Sequence, residues 1–146
     1  MEERARCECG DDRAACAAAW DASLALEFRD PEYGAVHHLT VAAFMLQHGS
    51  RLSAEGWVAM RDRLRRFIVE GETPERARRE AVRHPRAPES GSLTRARERG
   101  PSGLQWSHAI AGVRRDDGAT YRADVASWAA STLAEAEAFD SRRGAP

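Results

Sequence analysis

Asp30-Pro31-Glu32-Tyr33-Gly34-Ala35-Val36-His37-His38-Leu39-Thr40-Val41-Ala42-Ala43-Phe44-Met45-Leu46-Gln47-His48 is the stretch that decides the fold. Asp30 offers an N-cap oxygen, and Pro31 suits the first helical position, where its missing N–H costs nothing. From there to His48 the apolar side chains Val36, Leu39, Val41, Phe44, Met45 and Leu46 cover nearly every side of a helix. A helix that is apolar all round is a buried one, so this segment is expected at the centre of the molecule. Gly49-Ser50 ends it.

Outward from this centre the chain reads as helix after helix. Upstream, from Asp12 to Phe28, an alanine-rich helix puts Cys16, Trp20, Leu24 and Glu27 on one face. Downstream, Ser53 and Glu55 open a third helix whose stripe is Trp57, Met60, Leu64, Phe67 and Ile68, with Arg61, Arg63, Arg65 and Arg66 towards water. Gly71 stops it, and Thr73-Pro74-Glu75 caps a short fourth helix that ends before His84-Pro85. Residues 85–103 turn to Pro, Gly, Ser and Arg, with Leu93 the only large apolar side chain, which reads as a long surface loop or partly disordered segment. Leu104 to Val113 is a short apolar stretch of open type. A last helix from Thr120 to Phe139 carries Tyr121, Val125, Trp128, Thr132, Ala136 and Phe139 on one stripe. With no hairpin signal and no internal repeat, the expectation is all-α: a single small helical domain over residues 1–146, of about five helices, with a Cys-rich segment at 1–16.

The bulk properties narrow the function classes. A chain of 146 residues suits one domain with a modest core. A net charge of −1 and a pI near 6.5 carry no signal for a polyanion partner. All 22 basic residues are arginine, which together with the abundant alanine reads as GC-rich, bacterial coding. No 18-residue apolar run exists, and the charged N-terminus lacks the apolar region of a signal peptide, so a cytoplasmic protein off the membrane is expected. There an odd number of cysteines fits thiols or metal ligands better than a disulfide framework.

The cysteines are also where chemistry concentrates. Cys7, Cys9 and Cys16 are the only three, and the imidazoles of His37, His38 and His48 follow on the central helix. Structural zinc takes four tetrahedral ligands, commonly thiolates with one or two imidazoles. Three thiols at one end and a histidine on the next helix supply that set. If the first two helices pair antiparallel about Asp30-Pro31, Cys16 lies roughly 21 Å from the turn and His48 roughly 27 Å, at 1.5 Å per residue. That favours His48. The N-terminal tail folding back would reach His37 instead, which stands about 16 Å along the axis from His48 and cannot share its ion. The metal set is thus Cys7, Cys9 and Cys16 with His37, His38 or His48 as the open fourth choice. The Cys7-Glu8-Cys9 spacing departs from the two-residue separation of a zinc knuckle and weighs against Cys7 first.

Asp30-Pro31-Glu32-Tyr33-Gly34-Ala35-Val36-His37, continuing through Leu39-Thr40-Val41 to Gln47-His48, resembles the signature of an uncharacterised bacterial domain family. Its members carry an N-terminal Cys-x-x-Cys-Gly element, a later cysteine and a Tyr-Gly-x-Val-His…Gln-His helix. Here the thiol element is shortened to Cys7-Glu8-Cys9-Gly10. Tyr121-Arg122-Ala123-Asp124-Val125 with Trp128-Ala129 is similar to that family's last helix, so the likeness covers most of the chain. The resemblance implies a metal site and conveys no reaction.

Three functions follow as expectations. The first is a zinc-holding accessory or binding module, with a protein or small-molecule partner. The second is a metal-dependent enzyme on a small molecule, with His37, Glu27 or Tyr33 near the reacting centre. Glu27, on an otherwise apolar face, either meets an imidazole or points to water, and Tyr33 either bonds to His37 or simply packs. The third is a protein or nucleic-acid adaptor using the arginine-rich loop, Arg83 to Arg99, although the loop lacks interleaved aromatics. No Gly-x-Ser-x-Gly element, P-loop or dinucleotide fingerprint is present, and three thiolates fall short of an iron–sulfur set.

Overall fold

In the computed structural model, which describes residues 5–83 and 98–143, Asp12 caps the first helix, α1 (Arg13–Arg29), by accepting from the Ala15 N–H. Its buried side chains are Cys16, Ala19, Ser23 and Glu27, while Trp20 and Leu24 flank that line half-buried. The buried line is therefore rotated slightly from the face expected through Trp20 and Leu24. Small residues at 19 and 23 let the helix approach its neighbours closely. Asp30 ends α1 through its N–H on the Leu26 carbonyl and starts the next helix by accepting from Glu32 N at 2.9 Å.

The segment expected as one helix from Pro31 to His48 is two: α2 (Pro31–Gly34) and α3 (His37–Gln47), with Ala35 and Val36 between them. A Cβ on Gly34 would stand 2.6 Å from the Glu27 carbonyl oxygen, so the chain passes against the backbone of α1 at this point. This close passage, which a straight helix from Pro31 would have to share, coincides with the break. The central placement holds, because Thr40, Ala42, Ala43, Phe44, Leu46 and Gln47 are all buried.

A 3-10 turn (Gly49–Arg51) follows α3 and leads into α4 (Ala54–Ile68), whose Trp57 and Leu64 are buried and whose Met60, Phe67 and Ile68 are half-buried. Next comes α5 (Pro74–Arg83), which buries no side chain. The expected arginine-rich loop falls largely on residues 84–97, outside the described residues. Its expected end, from residue 98 on, is irregular and is pinned to the start of α4: Glu98 accepts from Ala54 N and Gly100 donates to the Leu52 carbonyl, each at 2.9 Å. A Cβ on Gly49 would meet the Pro101 carbonyl oxygen at 1.9 Å and one on Gly100 the Gly49 carbonyl oxygen at 2.7 Å, so both segments of this crossing depend on glycine-sized approach. The apolar stretch up to Val113 is irregular apart from a 3-10 turn (Ile110–Gly112).

The final helix, α6 (Gly118–Arg142), buries Tyr121, Val125, Trp128, Thr132 and Ala136 of the expected stripe together with Ala129 and Leu133, while Phe139 is half-buried. α3 packs against both α4 and α6. Gln47 fixes that packing by donating to the His108 carbonyl (2.7 Å) and the Thr132 hydroxyl (3.1 Å). Trp57 Nε1 donates to the Leu46 carbonyl at 3.0 Å. The described residues form helices and no strands: the protein is a single small all-α domain.

Candidate metal centre

The thiol segment is held in a tight loop before α1 begins. Cys7 N donates to the Asp11 carbonyl and Gly10 N to the Cys7 carbonyl, at 2.8 and 2.9 Å. Gly10 takes φ +97°, a left-handed value that glycine reaches without a Cβ clash. Arg13 N donates to the Ala5 carbonyl at 2.9 Å and ties the incoming chain to the start of α1. Glu8, between the two cysteines, accepts from the Ser50 N–H (3.0 Å) and hydroxyl, fastening the loop to the turn after α3. Desolvation alone would raise the Glu8 carboxyl, yet its bonds to Ser50 hold it below the ordinary value.

This loop brings Cys7, Cys9 and Cys16 together with His48, and the four donor atoms lie within 4.8 Å of one another. Cys9, Cys16 and His48 are buried, at 3, 3 and 2 % exposure, and Cys7 is half-buried. His48 Nε2 stands 3.1 Å from Cys7 Sγ and 3.3 Å from Cys16 Sγ. Its other nitrogen, Nδ1, donates to the Phe44 carbonyl at 2.7 Å. A carbonyl only accepts, so the proton of the neutral ring is on Nδ1 and the Nε2 lone pair faces the sulfurs. Phe44 also stacks on the imidazole with ring centres 3.9 Å apart, and Trp20 stacks on the far face of the same assembly at 3.9 Å.

The donor set fits a tetrahedral ion. Zinc–sulfur bonds of about 2.3 Å and zinc–nitrogen bonds of about 2.0 Å put sulfurs roughly 3.8 Å apart and sulfur and nitrogen roughly 3.6 Å apart. The His48 nitrogen stands a few tenths of an ångström inside the second of these values from Cys7 and Cys16 Sγ, and no two of the four donors are more than 4.8 Å apart. Burial pushes the Cys16 thiol up, with Cys9 and Cys7 adding to it; burial and Cys7 push the Cys9 thiol up against the opposing contacts with the Asp11 backbone and Cys16; and burial pulls the His48 imidazole down. A divalent cation reverses the cost for the thiols, since a thiol that coordinates it gives up its proton. The cluster could hold a metal.

Of the open choices for the imidazole, the geometry takes His48. Cys7 stands inside the cluster despite its one-residue spacing from Cys9, because the Cys7–Gly10 turn reverses the chain within that spacing. A family model described as a family of unknown function, DUF5946, matches residues 4–137, which include all four donors. The chain belongs to the DUF5946 family. A search of curated proteins and a search of solved structures each returned no match.

The remaining residues singled out in this DUF5946 chain form a separate constellation. His37 is outside the thiol cluster; its Nδ1 lies 2.6 Å from Glu27 Oε1. Glu27 does not point to water: its side chain is fully buried, and its other oxygen accepts from Thr40 Oγ1 at 2.6 Å and from the Tyr121 hydroxyl. Burial and the neighbouring Glu27 carboxylate push the Tyr121 phenol up, so it stays a donor. Tyr33 does not bond to His37; its hydroxyl donates to the Arg115 carbonyl at 3.1 Å and its ring leans on Tyr121. His38 packs edge-on against Phe67 at 4.7 Å. Thr40 and Tyr121 escaped the sequence reading: Thr40 follows His37 at helical spacing, which is a local signal, whereas Tyr121 lies 94 residues from Glu27 and has none.

Proposed function

We propose that Cys7, Cys9, Cys16 and His48 hold one zinc ion in a closed structural site, and that the protein works as a small accessory or binding module of the cytoplasm. The observation that carries this reading is the convergence of three thiols and one correctly oriented imidazole lone pair within 4.8 Å. Soft thiolates with one imidazole in a tetrahedral set select zinc over the harder cations. Four protein donors leave no open position for a substrate, which favours a staple over a reactive centre. The staple has a mechanical task. It joins the loop at 7–10, the start of α1 and the end of α3, three pieces that a small core binds weakly by itself. Reduced thiols suit the cytoplasm, and no helix of the described residues is long and apolar enough to cross a membrane.

A metal-dependent enzyme drawing on His37, Glu27 or Tyr33 finds less support. His37 lies about 16 Å along α3 from His48, at 1.5 Å per residue, and Tyr33 bonds elsewhere. An adaptor role for the arginine-rich loop rests on residues mostly outside the described ones. Elemental analysis of the purified chain, together with thiol titration, tests the proposal. One equivalent of zinc with all three thiols protected until a chelator is added is the expected result. Absence of stoichiometric metal with three freely titrating thiols would refute it.

A further inference from the structure

The constellation around Glu27 faces a cleft of about 490 Å³ between α3, α4 and α5. His37 is part of its wall and its side chain is 39 % exposed, whereas the Glu27 side chain behind it is wholly buried. A carboxylate accepts only, so the imidazole donates from Nδ1 and its neutral form presents the Nε2 lone pair on the ring's free edge. Thr40 and Tyr121 both donate to the other oxygen of Glu27 and fix the carboxylate in place. A buried carboxylate with three partners, aimed at one half-exposed imidazole, is a costly arrangement for surface packing alone. It resembles the way enzymes and binding sites set a histidine tautomer.

The other walls say what would fit. Phe28 and Phe67 flank the imidazoles, and Phe28 is 76 % exposed, so an apolar surface lies open there. Arg63 and Arg78 supply cations; Arg78 has Glu75 within 3.5 Å, whereas Arg63 has no ion-pair partner among the described residues. An acceptor nitrogen, an uncompensated guanidinium and aromatic walls complement a small organic anion that has an apolar body and a hydrogen-bond donor. The larger cleft between α4 and α5, about 710 Å³, shares Arg63 but has no aromatic wall and no histidine, and its Arg66 is paired with Glu72 at 3.3 Å.

We propose that this cleft is a second binding site, distinct from the thiol cluster, for a small hydroxylated carboxylate. His37 Nε2 accepts from the ligand's hydroxyl, Arg63 holds its carboxylate, and Glu27 is the positioning residue that keeps the proton on Nδ1. The inference stands whether or not the thiol cluster holds zinc.

The test uses the full chain as purified, with 4-hydroxybenzoate as the probe, read by nitrogen-15 NMR of the histidine rings and by calorimetry. Saturable binding that moves the His37 Nε2 signal is expected. Benzoate, lacking the donor, and 4-hydroxybenzamide, lacking the charge, are each expected to bind roughly tenfold weaker. Arg63→Gln, on the exposed side of α4, is expected to lower affinity by a similar factor at unchanged melting temperature. Glu27→Gln offers an amide donor to Nδ1 and moves the ring proton to Nε2, which changes the nitrogen signal from pyridine-like to pyrrole-like and is expected to narrow the preference for 4-hydroxybenzoate over benzoate. His37→Gln, whose side chain is half-exposed, keeps the test decisive if the buried substitution unfolds. No shift of His37 at millimolar probe, equal binding of acid and amide, or full affinity in Arg63→Gln would each overturn the proposal.

Discussion

His48 Nε2 and Cys16 Sγ stand 3.3 Å apart although 32 residues separate them in the chain. Trp20 on Phe44 and Glu27 on Thr40 are the next contacts down the same pair of helices. Residue numbers rise along α1 as they fall along α3, so the two run antiparallel about Asp30-Pro31. Three kinds of contact thus join the pair in order: the thiol cluster at one end, an aromatic stack in the middle, a buried carboxylate at the other.

Removing the metal should cost stability. A ligand present at a thousand times its dissociation constant stabilises the folded state by about 4 kcal/mol, and a structural zinc site reaches or exceeds that ratio. Urea unfolding with and without a strong chelator is expected to show a loss of at least this order. Identical midpoints in both conditions would mean that the cluster holds nothing that matters to folding.

Glu8→Ala should weaken metal retention without removing a ligand. Glu8 accepts from Ser50 at two atoms and so holds the loop that carries Cys7 and Cys9. Outer partners of metal ligands typically contribute 10- to 100-fold in affinity; because this pair is exposed, roughly tenfold is expected. Competition with a chromogenic zinc chelator measures it, and an unchanged affinity would show that the loop is preformed without Glu8.

Gly34→Ala sets two effects against each other. Alanine in place of glycine favours a helix by about 1 kcal/mol. The added Cβ, however, would lie 2.6 Å from a backbone oxygen of Glu27 that has no rotamer with which to retreat. Overpacking of this kind costs about 1–3 kcal/mol, so the variant is expected to be less stable overall. Thermal unfolding decides the sign, and a higher melting temperature would show that α2 is free to shift.

The helical class, the buried centre and the thiol-plus-imidazole set were legible because each has a local signature: all-round apolarity, caps, and clustering of rare residue types. Helix-length arithmetic from Cys16 and His48 to the turn at Asp30 was enough to favour His48. The break at Ala35-Val36 was not legible, since it accompanies Gly34 passing the α1 backbone, a tertiary contact. Nor was the role of Cys7, because residue spacing alone does not show that the Cys7–Gly10 turn folds the loop back on itself. Glu27 read more readily as a boundary residue facing water, because one of the partners that bury it, Tyr121, arrives from the far end of the chain.

Acidification should reveal His38. Burial holds its imidazole below the ordinary 6.5, only partly countered by Glu75. Between the folded and unfolded values the unfolded chain binds more protons, so stability rises with pH through that window and is lost as pH falls below about 6.5. His38→Gln removes this contribution, and the loss of stability on acidification is expected to be smaller than in the parent. Buried His48 shifts the same way and is present in both chains, so the difference between the two curves isolates His38. Parallel curves would place His38 in water.

Zinc K-edge X-ray absorption of the purified chain tests the closed four-ligand site most directly. The expected spectrum contains three sulfurs at about 2.3 Å and one imidazole nitrogen at about 2.0 Å, with no light-atom solvent ligand. A shell with two sulfurs and bound water, or one in which His48→Gln leaves the nitrogen contribution unchanged, would contradict it.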